Sequence, residues 1–88
     1  MRVTFTETAG AELAEILEYI AQRNPSAAER VAREVDRVIE HLRRFPLSAQ
    51  QTDRPDVRRA ILGHYLFYTV GPDEIIIRNI RHGARQYP

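Results

Sequence analysis

Residues 57–82 read VRRAILGHYLFYTVGPDEIIIRNIRH, and this stretch decides the fold. Three runs rich in β-branched and aromatic residues are punctuated by Gly63 and by Gly71-Pro72-Asp73. Such runs, bounded by turn residues, read as strands, and connections this short join them into antiparallel hairpins. The spacing predicts a three-stranded meander: VRRAIL ends at Gly63, HYLFYTV at Gly71, and EIIIRNIRH at Gly83. In the last run, simple alternation puts Ile76, Arg78, Ile80 and His82 on one face and Ile75, Ile77, Asn79 and Arg81 on the other. Both faces begin apolar and end polar. The strand should therefore start in the core and emerge toward water or a ligand.

Upstream of the meander, periodicity changes from two to 3.6. In ETAGAELAEILEYIAQR, Leu13, Ile16, Leu17 and Ile20 form one helical stripe, with Glu12, Glu15 and Glu18 off it. Thr6 or Thr8 supplies the N-cap. The break RNPSAAER starts a second helix, with Asn24 capping and Pro25 at the first position, or with Ser26 and Glu29 as a capping box. Its stripe is Ala28, Val31, Val35, Val38, Ile39 and Leu42, and Pro46 stops it near Phe45. Two helices with so short a join fold back as an antiparallel hairpin. RVTF (Arg2 to Phe5) alternates and reads as a first short strand, and Pro46 to Asp56 reads as a polar loop. The expected fold is α+β: a two-layer β-α-α-β-β-β domain over residues 1–88, its helical hairpin packed on one face of a small antiparallel sheet. The first strand should join an edge of the meander, with either edge open to it.

Composition narrows the chemistry. The chain has no cysteine, which removes disulfides, thiolate metal sites and thiol catalysis. There is no signal-like h-region and no apolar run of membrane-spanning length, so we expect a cytoplasmic protein without a membrane partner. All 13 basic residues are arginine. Residues 1–56 carry 8 arginines and 10 acids, whereas residues 57–88 carry 5 arginines and 2 acids. Arginine offers a fixed charge and a planar fork suited to phosphate or carboxylate, and it is a poor general base. The net charge of +1 argues against strong DNA binding by the chain alone.

The candidate target-binding residues are Arg58, Arg59, Arg81, His82, Arg85 and Tyr87. If the chain cut nucleic acid, Arg81, His82, Arg85 and Tyr87 would form the catalytic set, with His82 best placed to titrate near neutrality. The meander leaves open whether Arg58 and Arg59 join the later group, because their strand and the last strand both run antiparallel to the one between them. His64 follows a turn glycine and reads as structural. His41 lies among charged residues on the wet face of the second helix. Tyr65, Phe67 and Tyr68 read as sheet packing. No phosphate loop, metal-ligand spacing or cofactor motif is present.

The ordered set TAGAELAEILEYIA, LRRFP (Leu42 to Pro46), VRRAILGHYLFYTV (Val57 to Val70) and IRHGARQYP (Ile80 to Pro88) resembles the RelE/ParE superfamily of toxins from bacterial type II toxin–antitoxin modules. The resemblance covers almost the whole chain and implies a cognate antitoxin as partner. Its RelE-like branch cuts messenger RNA on the ribosome, and its ParE-like branch poisons DNA gyrase. RelE-like nucleases open the middle strand with Gly-x-Tyr-Arg or Gly-Tyr-Arg. Here the stretch is Gly63-His64-Tyr65-Leu66, and there is no lysine. Arg85 matches the basic C-terminal position and Tyr87 stands where a catalytic tyrosine could. HYLFYTV and HGARQYP look more like the ParE branch. The resemblance thus implies a ParE-like toxin that arrests growth at gyrase. The alternatives are a ribosome-dependent messenger-RNA endoribonuclease and a non-toxic interaction module. The balance at this point is against catalysis, and the antitoxin-binding residues are undetermined.

Overall fold

Thr6 ends the first strand and begins the first helix. Its hydroxyl accepts from Ala9 N at 3.0 Å while its own backbone is extended, as an N-cap requires. Asn24 does the same for the second helix, accepting from Ala27 N at 3.1 Å with Pro25 behind it. Phe45 leaves the helical region ahead of Pro46 and closes that helix. The computed structural model describes residues 1–61 and 63–81. Their order is β1 (Arg2–Phe5), α1 (Glu7–Ala21), α2 (Pro25–Arg44), β2 (Gln50–Gln51), β3 (Arg58–Ile61), β4 (Tyr65–Val70) and β5 (Glu74–Arg81). The helices pack against a five-stranded sheet in the order β1-β5-β4-β3-β2, so the fold is α+β as expected.

Three details correct the sequence reading. The sheet is mixed, because β1 pairs in parallel with β5 from Arg2↔Glu74 to Phe5↔Ile77. Hairpin logic governs only consecutive strands, and β1 reaches its partner through the helical hairpin instead. The expected polar loop holds a short edge strand, with Gln50↔Arg59 and Gln51↔Arg58 antiparallel. Finally, β5 does not alternate throughout. Tyr68 pairs with Ile77 but Phe67 pairs with Asn79, so Arg78 is an extra residue in a bulge. Past the bulge the faces exchange. Ile80 joins Ile75 and Ile77 in the core, while Asn79 and Arg81 turn to the open face.

The core lies between the helices and the inner sheet face. Ala9, Ile16, Leu42, Leu66, Tyr68, Ile75, Ile77 and Ile80 are buried together. Each large aliphatic contributes about 1.5–3 kcal/mol by leaving water. Tyr68 is wholly buried and donates its hydroxyl to Pro46 O at 2.8 Å. Arg58 Nη1, on the same face, donates to Leu47 O at 3.2 Å and Ala49 O at 2.8 Å. Two sheet residues thereby fasten the segment that follows α2. Burial raises the Tyr68 phenol above its ordinary pKa, opposed by the Ala49 backbone and by the Arg58 charge. At the β3–β4 turn, Gly63 takes φ of +81°, which L side chains disfavour.

Candidate functional site

Among the described residues, the outer face of the sheet carries no helix. Alternation along β4 turns Leu66 and Tyr68 inward, and Tyr65 and Phe67 outward, where their rings meet edge to face at 6.3 Å. Phe67 stands level with Arg59 on β3 and Asn79 on β5. A groove of about 430 Å³ opens here, bordered by Arg54, Arg59, Arg78 and Arg81, with Asp53 as its acid and Phe67 among its lining residues. Strands lie about 4.8 Å apart, so the β3 and β5 arginines flank Phe67 at roughly 10 Å from one another.

These guanidiniums are only partly engaged. Arg59 Nη2 donates to Gln50 Oε1 at 3.1 Å, its Cζ sits 5.0 Å from the Tyr65 ring centroid, and its buried Nε finds no hydrogen-bond partner among the described residues. Arg78 Nε donates to Thr69 Oγ1 at 3.2 Å. Arg81 Nε lies 3.3 Å from Glu12 Oε2, with its side chain half exposed. A guanidinium has five N–H donors, so each retains capacity for an anion.

Glu12 explains how β5 is held beyond the reach of β1. The β1–β5 ladder ends at Phe5↔Ile77, and Thr6 N extends it by donating to Ile77 O at 3.0 Å. The Thr6 hydroxyl then donates to Arg78 O at 3.2 Å. One turn and a half along α1, Glu12 Oε1 accepts from Ile80 N at 2.8 Å and from Asn79 Nδ2 at 3.3 Å. The start of α1 thus stands in for missing strand, and the same carboxylate positions Arg81.

Of the residues expected from sequence, the structure brings Arg59 and Arg81 into one groove. Arg58 points to the helix side and is occupied by two carbonyls. His82, Arg85 and Tyr87 lie outside the described residues. Sequence reasoning missed Arg54, Arg78 and Asn79 as groove residues; the bulge that turns Asn79 outward has no periodic signature, and Arg54 lies between β2 and β3. It also missed Glu12, for which being off the apolar stripe was the only signal. A second groove, of about 450 Å³, runs between α2 and β3. Val38, Leu42, Ala49, Ala60 and Ile61 give it apolar walls, with Arg37 and His41 at its rim.

The family model described as the ParE toxin of the type II toxin–antitoxin system parDE matches residues 3–87. The chain belongs to the ParE toxin family. Among solved structures, a chain of the chromosomal ParDE toxin–antitoxin system from P. aeruginosa superposes with a TM-score of 0.80 at 20% identity, covering 93% of this toxin and 95% of that chain. Identity that low bears on the fold alone. No curated protein matches the toxin significantly. In the ParE-family toxin described here, Leu66 is 0% exposed, so the position where RelE-like nucleases carry arginine is part of the core. No helix among the described residues is long and apolar enough to cross a membrane.

Proposed function

We propose that this toxin arrests growth by docking on DNA gyrase through the arginine-lined end of its open sheet face, and that a cognate antitoxin neutralises it in the cytoplasm. Arg59 and Arg81 are the described contacts, and the sequence adds His82, Arg85 and Tyr87 as candidate contacts outside the described residues. The carrying observation is the chemistry of the groove. Its described lining offers four cations against one carboxylate, Asp53, and holds no histidine or tyrosine. Guanidinium groups grip an anion without acting as general bases. Leu66 inside the core supports the same reading, since it supplies no cation for a developing charge. Family membership and the likeness to a chain of a ParDE toxin–antitoxin system support an antitoxin partner. The apolar groove between α2 and β3, with Arg37 and His41 at its rim, suits an acidic amphipathic segment that folds as it binds.

A supercoiling assay tests the mechanism. Purified toxin in excess over gyrase should block supercoiling and accumulate cleaved DNA, and adding antitoxin should restore activity. Arg59→Ala and Arg81→Ala should weaken the block. Growth arrest in cells combined with unaffected gyrase in vitro and codon-linked cuts in messenger RNA would reject this reading.

A further inference from the structure

We propose that the groove between Arg59 and the pair Arg78 and Arg81 binds the phosphodiester backbone of a single-stranded nucleic acid, with a base laid against Phe67. The inference uses the same groove as the reading above but does not depend on gyrase being the target.

Charge comes first. Four arginines and one aspartate line the groove, a net +3 from which the Glu12 carboxylate beside Arg81 takes one, in a chain whose total is +1. Arg59 stands on β3 while Arg78 and Arg81 stand on β5, so the cations flank the groove rather than form one cluster. That arrangement follows a line of charges better than a single ion. Arg59 also brings a buried Nε with no hydrogen-bond partner among the described residues. Burying a donor without an acceptor is costly, and an oxyanion that reached it would remove that cost.

The groove's position separates a polynucleotide from an acidic peptide. Extended peptides gain affinity by adding a strand to a free sheet edge. This groove lies over β3, β4 and β5, and β4 is paired on both sides. A peptide laid there would bury main-chain amides with no ladder to join. A polynucleotide needs no ladder, since its phosphates meet the guanidiniums and its bases meet an aromatic face. Phe67 lies level with Arg59 across the strand pair, with the Asn79 amide on its other side. A single strand fits better than a duplex, because only an unstacked base can reach a ring set in the groove floor.

The test is fluorescence anisotropy on the purified full chain with labelled twelve-nucleotide oligothymidine and oligouridine. Three phosphate contacts on a single strand give a slope of about −2 in log K against log salt, so affinity should fall about twentyfold between 50 and 200 mM. Arg59→Ala and Arg78→Ala should each reduce that slope by about 0.7. Phe67→Leu should weaken binding by about fivefold or more while leaving the slope unchanged. Arg33→Ala, on the exposed side of α2, serves as the control and should change neither. Binding of either oligonucleotide supports the proposal and identifies the sugar. Binding of neither at 50 mM salt, by protein with a folded circular-dichroism spectrum, overturns it. So does binding that survives Arg59→Ala and Arg78→Ala but is lost in Arg85→Ala, which would place the site in the C-terminal tail. Equal or tighter binding of polyglutamate would overturn the class of ligand. A gyrase assay that fails while these slopes hold would leave the groove assignment standing and remove only the target.

Discussion

Replacing Glu12 separates its two tasks. In Glu12→Ala, Ile80 N loses its 2.8 Å carboxylate acceptor at a residue only 2% exposed. A hydrogen bond to an ionised acceptor is worth about 1.5–3 kcal/mol, and no β1 backbone is there to replace it. The Arg81 pair adds less. Its partner is half exposed, and solvent screening holds such a contribution to at most about 1 kcal/mol. Alanine returns a few tenths of a kcal/mol through helix propensity. The expected net loss is about 2–3 kcal/mol. In a domain of this size that corresponds to a fall in Tm of roughly 10–20 °C. Glu12→Gln keeps an oxygen for Ile80 N and removes only the charge, so it should cost about 1 kcal/mol or less. Urea unfolding followed at 222 nm measures both variants. In high salt the Gln penalty should shrink toward zero, while the Ala penalty persists. If Glu12→Gln proved as damaging as Glu12→Ala, or Glu12→Ala cost under about 0.5 kcal/mol, the carboxylate would not be what holds the end of β5.

The fastening of the segment after α2 gives two further expectations. Arg58→Ala frees the Leu47 and Ala49 carbonyls and should lower stability by about 1.5–3 kcal/mol in the same urea assay, with no effect on the oligonucleotide salt slope. Tyr68→Phe should cost about 1 kcal/mol by losing the bond to Pro46 O. Its pH signature is specific. The folded phenol holds its proton above the ordinary value of 10.0, so its contribution is complete below pH 10 and is lost as pH rises through the raised folded value. Alkaline titration of stability should therefore be flatter in Tyr68→Phe than in the parent. Gly63→Ala puts a Cβ on a φ of +81° where no neighbouring atom lies within 4 Å, so the penalty should be about 1 kcal/mol from the backbone alone, read as a drop in Tm.

Most of the architecture could be read from residues with local consequences. Thr6, Asn24, Pro25 and Pro46 set helix ends through their own caps and φ restrictions, and these act within a few positions. Gly63 and Gly71 punctuate the meander in the same way. What escaped was nonlocal. The parallel union of β1 with β5 depends on how a helical hairpin returns the chain, and two glutamines became a strand because Arg58 and Arg59 lie opposite them. Half of the groove was legible as a concentration of arginine near the end of the sequence. Asn79 was not, because the bulge that turns it outward is bonded to Thr6 and Glu12, more than sixty residues away, and Arg54 was not, because it lies in the segment between β2 and β3. Arg58 and Arg59 are adjacent in sequence yet point to opposite faces, so only one of them reaches the groove.

The bulge at Arg78 also works as a parity setting for everything after it. If the bulge closed with every residue kept, Ile80 would swing out to water and Asn79 and Arg81 would turn toward the core. Deleting Arg78 instead would leave Ile77, Ile80 and Arg81 on their present faces, because simple alternation then gives the same result. Loss of that one residue should therefore be tolerated, and loss of one residue on either side of it should not. The side of the sheet on which Arg81 emerges thus depends on a residue that has no partner across the strand pair.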